Sequence, residues 1–298
     1  MIDARTVLKK KKPSREGCRF SILIPTWNNL PYLRLCVESI RKNSSFPHQL
    51  IIHVNEGKDG TLEWVEGQPD IDYTYSEHNI GICYPLNIQR SLADTDYIVY
   101  MNDDMYVCPG WDEALLKEIR AVGHPYFFFS STIIEPFDSN NACVIVQDYG
   151  TDIDSFKEEK LLQEFATLPK ADWQGATWPP NVVHKDVWDL VGGYSIEYSP
   201  GMYSDPDFSM KLWASGVRLF KGIGASRAYH FGSKSVGRIV KNNGYYTFIS
   251  KWGLTSSTFT RQFLRIGSSF DGPLKDPILN GKLQWKNLLK RVVTAFRR

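Results

Sequence analysis

Between residues 20 and 134, short apolar runs alternate with helical patterns, and nothing else in the chain restricts its architecture as much. FSILIP (20–25), QLIIHV (49–54), IDYTYS (71–76), YIVYM (97–101) and the segment 126–134 read as strands. Pro31 opens a helix whose apolar residues Leu33, Cys36, Val37 and Ile40 follow helical spacing, and proline suits a first turn. Further helices are expected near 60–66, at 84–93 and at 109–121. Strands separated by helices return in the same direction, so the expected class is α/β: a mostly parallel sheet flanked by helices. From about residue 135 the pattern loosens. Pro136, Asp138 and Asn140-Asn141 mark a turn, and DWQGATWPPN (172–181) is rich in Trp, Pro and Gly. Short helices at 185–191 and 208–214 are stopped by Gly192-Gly193 and by Gly216, so the second half reads as more irregular.

Length and composition narrow the class. With 298 residues, 42% hydrophobic, the chain can bury a sizeable core. Five scattered cysteines without a Cys-x-x-Cys pair argue against a disulfide framework or a thiolate zinc site, and fit a reducing compartment. No stretch approaches the ~20 apolar residues of a membrane span. The basic N-terminal run has no apolar segment behind it, so a secretory signal is not expected and a cytoplasmic location is. The net charge of +2 is unevenly placed: residues 1–19 hold seven Lys/Arg against two acids, and residues 281–298 hold six with no acid. The middle of the chain is therefore acidic, the opposite of a fold that grips nucleic acid through its body, and no nucleic-acid partner is expected.

The 97–101 strand runs directly into Asn102-Asp103-Asp104. The carboxyl end of a buried strand faces a crevice, and adjacent carboxylates there call for a positive partner. A divalent cation carrying a phosphate fits, because hard metals bridge carboxylate and phosphate oxygens; solvated turn residues are the alternative. The first strand ends in Pro25-Thr26-Trp27-Asn28-Asn29 rather than a glycine-rich turn. No Walker-type loop and no Gly-x-Ser-x-Gly elbow occurs, which removes dinucleotide redox, ATPase and hydrolase readings.

SILIPTWNN, VNEGKDGT, NIGICYPLN, YIVYMNDDMYVCPGW, HKDVWDLVGGY, YSDPDFSMKLWASG, AYHFGSKS and SKWG, in that order over residues 20–253, resemble successive blocks of the family 2 glycosyltransferases of GT-A fold. The resemblance implies an inverting, metal-dependent enzyme that moves a sugar from a nucleotide-diphosphate donor to a hydroxyl acceptor, a glycan or a lipid-linked glycan. It implies a donor half at 20–121 and an acceptor half at 122–253, between a basic flexible arm (1–19) and an extension (254–298). Pro25, Thr26 and Asn28 would line the base and ribose, Asn55 and Glu56 would bond the base edge, and Asn79 and Gly81 would pass close to the nucleotide. The VNEGKDGT block departs from the family's more Asp-rich form, and Asp59 is expected to cap the next helix. Asn102-Asp103-Asp104 would be the Asp-x-Asp motif with Asn in first place: Asp104 on Mn2+ or Mg2+, Asn102 and Asp103 on ribose or metal waters.

Asp205, in Ser204-Asp205-Pro206-Asp207, takes the family's general-base position, while Ser204 stands where Glu is usual. Locally the same residues make a helix start, with Asp205 as N-cap and Asp207 in the first turn, and Asp207 is a candidate acceptor contact. His230 resembles a histidine that helps hold metal or diphosphate in some relatives; simple packing is its alternative. Trp173 and Trp178 are candidate acceptor platforms, or core. Trp285, Leu288, Leu289, Val292, Val293 and Phe296 form one helical stripe beside Lys286, Lys290, Arg291, Arg297 and Arg298. That helix would lie on an anionic membrane surface, at the inner face of the cell membrane, or dock its stripe on the domain. Two other functions share this layout: a sugar-nucleotidyltransferase, disfavoured by the absence of a glycine-rich phosphate loop, and a carbohydrate- or nucleotide-binding protein without strong catalysis.

Overall fold

Alternating apolar side chains place Ile22 and Ile24 on one face of the first long strand and Leu23 on the other, so that strand needs cover on both sides. A computed structural model, describing residues 7–13, 16–232 and 242–296, supplies that cover. β1 (Leu8–Lys10) precedes β2 (Phe20–Trp27), α1 (Leu30–Asn43), β3 (Gln49–Asn55), α2 (Thr61–Glu66), β4 (Ile71–Ser76), α3 (Cys83–Arg90) and β5 (Tyr97–Tyr100). Then come β6 (Met105–Val107), α4 (Trp111–Val122), β7 (Phe127–Glu135), β8 (Ile145–Val146), α5 (Glu158–Glu164), β9 (Trp173–Gln174) and β10 (Asn181–His184). α6 (Lys185–Val191), α7 (Ser204–Ala214), β11 (Leu219–His230), α8 (Gly244–Trp252), α9 (Ser256–Thr258) and α10 (Gly281–Ala295) complete the described elements.

The strands form one sheet in the order β1-β4-β3-β2-β5-β10-β7-β11-β6, with β8 on β7 and β9 on β11. β4, β3, β2 and β5 are parallel, as the helical crossovers require. β10 then runs antiparallel to both β5 and β7, which restores the original direction in β7 and its parallel neighbour β11. Six strands therefore end at the same edge, and Trp27, Asn55, Ser76, Tyr100, Glu135 and His230 are their last residues. This convergence builds the site.

Leu33, Cys36, Val37 and Ile40 of α1 and Trp111, Leu115 and Ile119 of α4 cover one face. Leu86, Val187, Trp188, Phe208, Leu212 and Phe248 cover the other. Phe259, Leu264 and Leu274 are buried in this second core, so the boundary expected at residue 253 is not a packing boundary.

Of the arm expected to be flexible over 1–19, residues 8–12 are held against the sheet. Leu8, Lys9 and Lys10 pair antiparallel with Tyr75, Thr74 and Tyr73, Lys11 forms an ion pair with Asp94, and the Lys12 amide donates to Asp72 Oδ1 at 2.6 Å. An edge strand's unpaired backbone and nearby carboxylates give a basic extended segment somewhere to bind. Residues 233–235 of the AYHFGSKS block, and Arg297 and Arg298, lie outside the described residues.

Candidate active site

A cleft of about 400 Å³ opens at the carboxyl edge of the sheet. Nine of the residues singled out from sequence line it: Pro25, Thr26, Asn55, Asn79, Gly81, Asn102, Asp103, Asp104 and His230. Backbone strain is concentrated around it. Asn28 (φ 45°), Glu56 (φ 62°) and Tyr203 (φ 71°) adopt left-handed conformations that non-glycine residues rarely hold.

The ends of β2 and β3 are tied together by side chains. Asn28 Nδ2 donates to Glu56 Oε2 at 3.1 Å, and Asn28 Oδ1 accepts from the Lys58 amide at 2.8 Å. The Trp27 side chain holds the Glu56 carboxyl below its ordinary range against the opposing effect of burial, helped by Asn28 and Lys58. Asn28 and Glu56 thus brace the cleft rim rather than line it. Asn55 lines the cleft, yet its amide is committed locally: Oδ1 accepts from Ile80 N at 2.9 Å and Nδ2 donates to Gly81 O at 3.2 Å. It positions the 79–82 loop, where Asn79 Oδ1 accepts from the Gly81 amide at 2.9 Å. Gly81 is required there, since a Cβ would sit 2.7 Å from Pro200 Cα and its φ is +80°. The N-cap of α2 is Gly60 rather than the expected Asp59, yet Asp59 ties the starts of α2 and α1, its Oδ1 accepting from Thr61 N and its Oδ2 from Leu30 N.

The acidic turn is held from two sides. Thr26 Oγ1 donates to Asp103 Oδ2 at 2.6 Å. β6 pairs antiparallel with the end of β11, which brings His230 opposite Met105 and its Nε2 to 3.5 Å from Asp104 Oδ1. His230 Nδ1 lies 2.8 Å from Glu135 Oε1 at the end of β7. Burial works against a charge on His230, but the Asp104 and Glu135 carboxylates override it and push the imidazole up to about 10.

The second carboxylate site differs from its sequence reading. α7 begins at Ser204 and the residue before it is Tyr203, so Asp205 is not the N-cap. Asp205 is half-buried in the first turn, 3.5 Å from the Tyr194 hydroxyl, and desolvation raises its carboxyl to about 7 despite that hydroxyl. Tyr100 links the two acidic sites. This buried cleft-lining hydroxyl is pushed well up by desolvation, then by Asp205 and, through Cys83, Asp104 and Asp103, by the charges around it.

Two acceptor candidates are corrected. Asp207 is fully enclosed, accepting from Ser195 Oγ at 2.6 Å and Trp252 Nε1 at 2.8 Å and pairing with Lys251 Nζ at 3.0 Å. It faces a structural knot between α7 and α8, not an acceptor. Trp173 is core: its ring lies against Gly222 and its Nε1 donates to Thr132 Oγ1 at 3.0 Å. Trp178 is half-buried on the loop leading into β10, whose first residue pairs with Tyr100. Sequence reasoning missed Trp27, Ile82, Tyr100, Pro200, Gly201, Met202 and Gly232, which complete the lining, and Glu135 behind His230. A carboxylate at the end of a strand was the available signal for Glu135; the 200–202 loop carried none.

The Asp103 and Asp104 carboxylates at the strand end suit a hard divalent cation, and His230 could join them only on losing the proton that Asp104 and Glu135 stabilise. Among the described residues no three such side chains form a ready-made cage.

A parallel α/β half, an acidic turn at the switch to an antiparallel strand, and a cleft over both define the GT-A class of nucleotide-sugar-binding folds. Residues 21–160 match the model described as Glycosyl transferase family 2. A relative from Bacillus subtilis (strain 168), the uncharacterized glycosyltransferase YwdF, is 29% identical over 125 residues, 41% of this chain and 45% of the relative. The match thus spans less than half of either protein. The S. aureus TarS 1–349 structure superposes with a TM-score of 0.54 at 13% identity, covering 94% of this chain and 72% of that one. GalNAc-T7, solved with UDP, GalNAc and Mn2+, gives 0.57 at 14% identity, covering 84% and 51%. These likenesses establish the fold. No helix among the described residues is long and apolar enough to cross a membrane.

Proposed function

We propose that this protein is an inverting glycosyltransferase that moves a sugar from a nucleotide-diphosphate donor to a hydroxyl group of a glycan or lipid-linked acceptor. The observation that carries the reading is the cleft at the strand ends lined by Thr26, Asn102, Asp103, Asp104 and His230, whose lining residue Tyr100 packs on Tyr194, the ring whose hydroxyl lies 3.5 Å from Asp205. Donor phosphates and an acceptor hydroxyl can then meet within one cleft. TarS has been crystallised with UDP and with UDP-GlcNAc, which favours a uridine nucleotide as the first donor to try.

In this reading Pro25, Thr26 and Trp27 flank the nucleoside, and the 79–82 loop, braced by Asn55, closes over it. Asp104 and His230 would hold Mn2+ or Mg2+, with Asn102 and Asp103 on ribose or metal waters. The cation supplies neutralisation of the charge that builds on the departing nucleoside diphosphate. Asp205 takes the acceptor's proton as its oxygen attacks the anomeric carbon, a contribution of about 10²–10⁴ in rate. A carboxyl raised to about 7 is well matched to that task near neutral pH. Ser204, buried and donating to Gly201 O at 2.6 Å, holds the loop that faces Gly81 rather than reaching an acceptor. Trp178 is retained as the acceptor-side aromatic.

Titration of UDP and UDP-sugars with and without Mn2+, followed by measurement of UDP release, tests this reading. Metal-dependent binding that Asp104→Ala abolishes, with UDP released only when an acceptor is present, is the expected result. Binding unaffected by Asp104→Ala would place the diphosphate elsewhere and overturn it.

A further inference from the structure

α10 is an amphipathic helix docked the wrong way round. On a helix of 3.6 residues per turn, Asn287 and Thr294 fall on one side and Trp285, Leu288, Leu289, Val292, Val293 and Phe296 on the opposite side. The polar side is the docked one. Asn287 is buried and its Oδ1 accepts from Thr255 N at 3.2 Å and Thr258 Oγ1 at 3.1 Å, and Thr294 is buried as well. The apolar stripe faces outward, with Trp285 65% and Phe296 86% exposed. Docking by the stripe, the alternative that the sequence left open, is thereby overturned. Six neighbouring apolar side chains left in water are unfavourable unless another surface covers them.

The surroundings select that surface. Lys282, Lys286, Lys290 and Arg291 lie on the same helix, Arg297 and Arg298 follow in sequence, and residues 281–298 contain no acid. Two copies joined through the stripe would bring two such unrelieved cationic helices together, which like-charge repulsion opposes. An anionic lipid surface complements the charge, accepts the apolar side chains, and suits Trp285 at the boundary between headgroups and chains. The apolar surface also continues into a groove of about 460 Å³ between α8 and α10, where Leu288 and Val292 stand beside Ile249 and Arg291.

We infer that α10 is an interfacial helix that seats this domain on anionic lipid through its outward stripe. The inference is independent of the sugar chemistry and stands or falls without it. The test is co-sedimentation of the full chain with vesicles of phosphatidylcholine, alone or mixed with phosphatidylglycerol. Mixed vesicles should bind at least about tenfold more strongly than neutral ones, and added salt should weaken the binding. Leu289→Glu/Val292→Glu should lose about tenfold or more, while its melting temperature and circular dichroism stay as in the parent, because both residues are exposed. Equal binding to both vesicle types, or unchanged binding of that variant, overturns the inference. So does a solution dimer that ignores vesicles and dissociates in the variant; it would make the stripe a contact between copies.

Discussion

Asp205 and Asp207 stand two residues apart on α7 and do opposite things. Desolvation lifts Asp205 to about 7, far above a free aspartate. For a base that must be ionised, kcat/KM should climb as pH rises through about 7. Asp205→Asn should abolish that limb and lower kcat by ~10² or more while leaving donor affinity unchanged. Linkage adds a second readout. A raised carboxyl favours folding while it is protonated, an advantage complete below about pH 4 and lost as pH rises through about 7. Asp205→Asn should therefore raise the melting temperature at pH 8 and leave it nearly unchanged at pH 4. Asp207, by contrast, is fully buried, and its partners are Ser195, Trp252 and the partly exposed Lys251. Asp207→Ala should cost about 3 kcal/mol in denaturant unfolding, the lower part of the range for a broken buried pair because Lys251 can still reach water. Both residues read alike in sequence, as acids at a helix start. Only the packing of α8 against α7 tells them apart, because burial depends on neighbours supplied from residues 244–252.

At the scale of elements, the cleft is a contact between two loops that have no helical or strand periodicity. The 79–82 loop touches the 200–202 loop, with Ile82 N donating to Pro200 O at 3.0 Å and Gly81 seated on Pro200. Gly81→Ala would add a Cβ 2.7 Å from Pro200 Cα at a left-handed position, forcing the loops apart. UDP affinity measured by calorimetry should fall about tenfold, equivalent to about 1.4 kcal/mol, with a fold preserved by circular dichroism. Apart from the three-residue β6, the strands and helices of residues 20–122 were legible because their apolar residues keep a steady period. β10 was missed just after the Trp-, Pro- and Gly-rich segment 172–181, since a four-residue strand offers too short a period to recognise. β1 was hidden for a different reason: its residues are exposed and basic, and its strand conformation comes from β4's free edge.

Over the whole molecule, the two faces of one sheet carry two cores, and the extension beyond residue 253 is part of the second. Phe259 and Leu264 are fully buried there, and Gly175 packs so close to Leu264 O that a Cβ would approach to 2.6 Å. A chain ending at residue 253 should expose that core and aggregate on expression, whereas one ending at 279 should remain soluble and melt in a single transition, as size-exclusion chromatography and calorimetry would show. The charge pattern also divides at this scale. Among the described residues, Lys11 pairs with Asp94 near the N-terminus, while Lys282, Lys286, Lys290 and Arg291 stay outward beside an exposed apolar stripe.

What the sequence determined by itself was the layered α/β order, the strand end at Asn102-Asp103-Asp104 and the amphipathic character of residues 281–296, because each is written in a local period or in adjacent residues. The tertiary structure alone decided that His230 stands between Asp104 and Glu135, that Trp173 and Asp207 serve the core, and which side of α10 faces out. Those outcomes depend on groups far apart in the chain, whose burial and charge exist only once the sheet has brought them together.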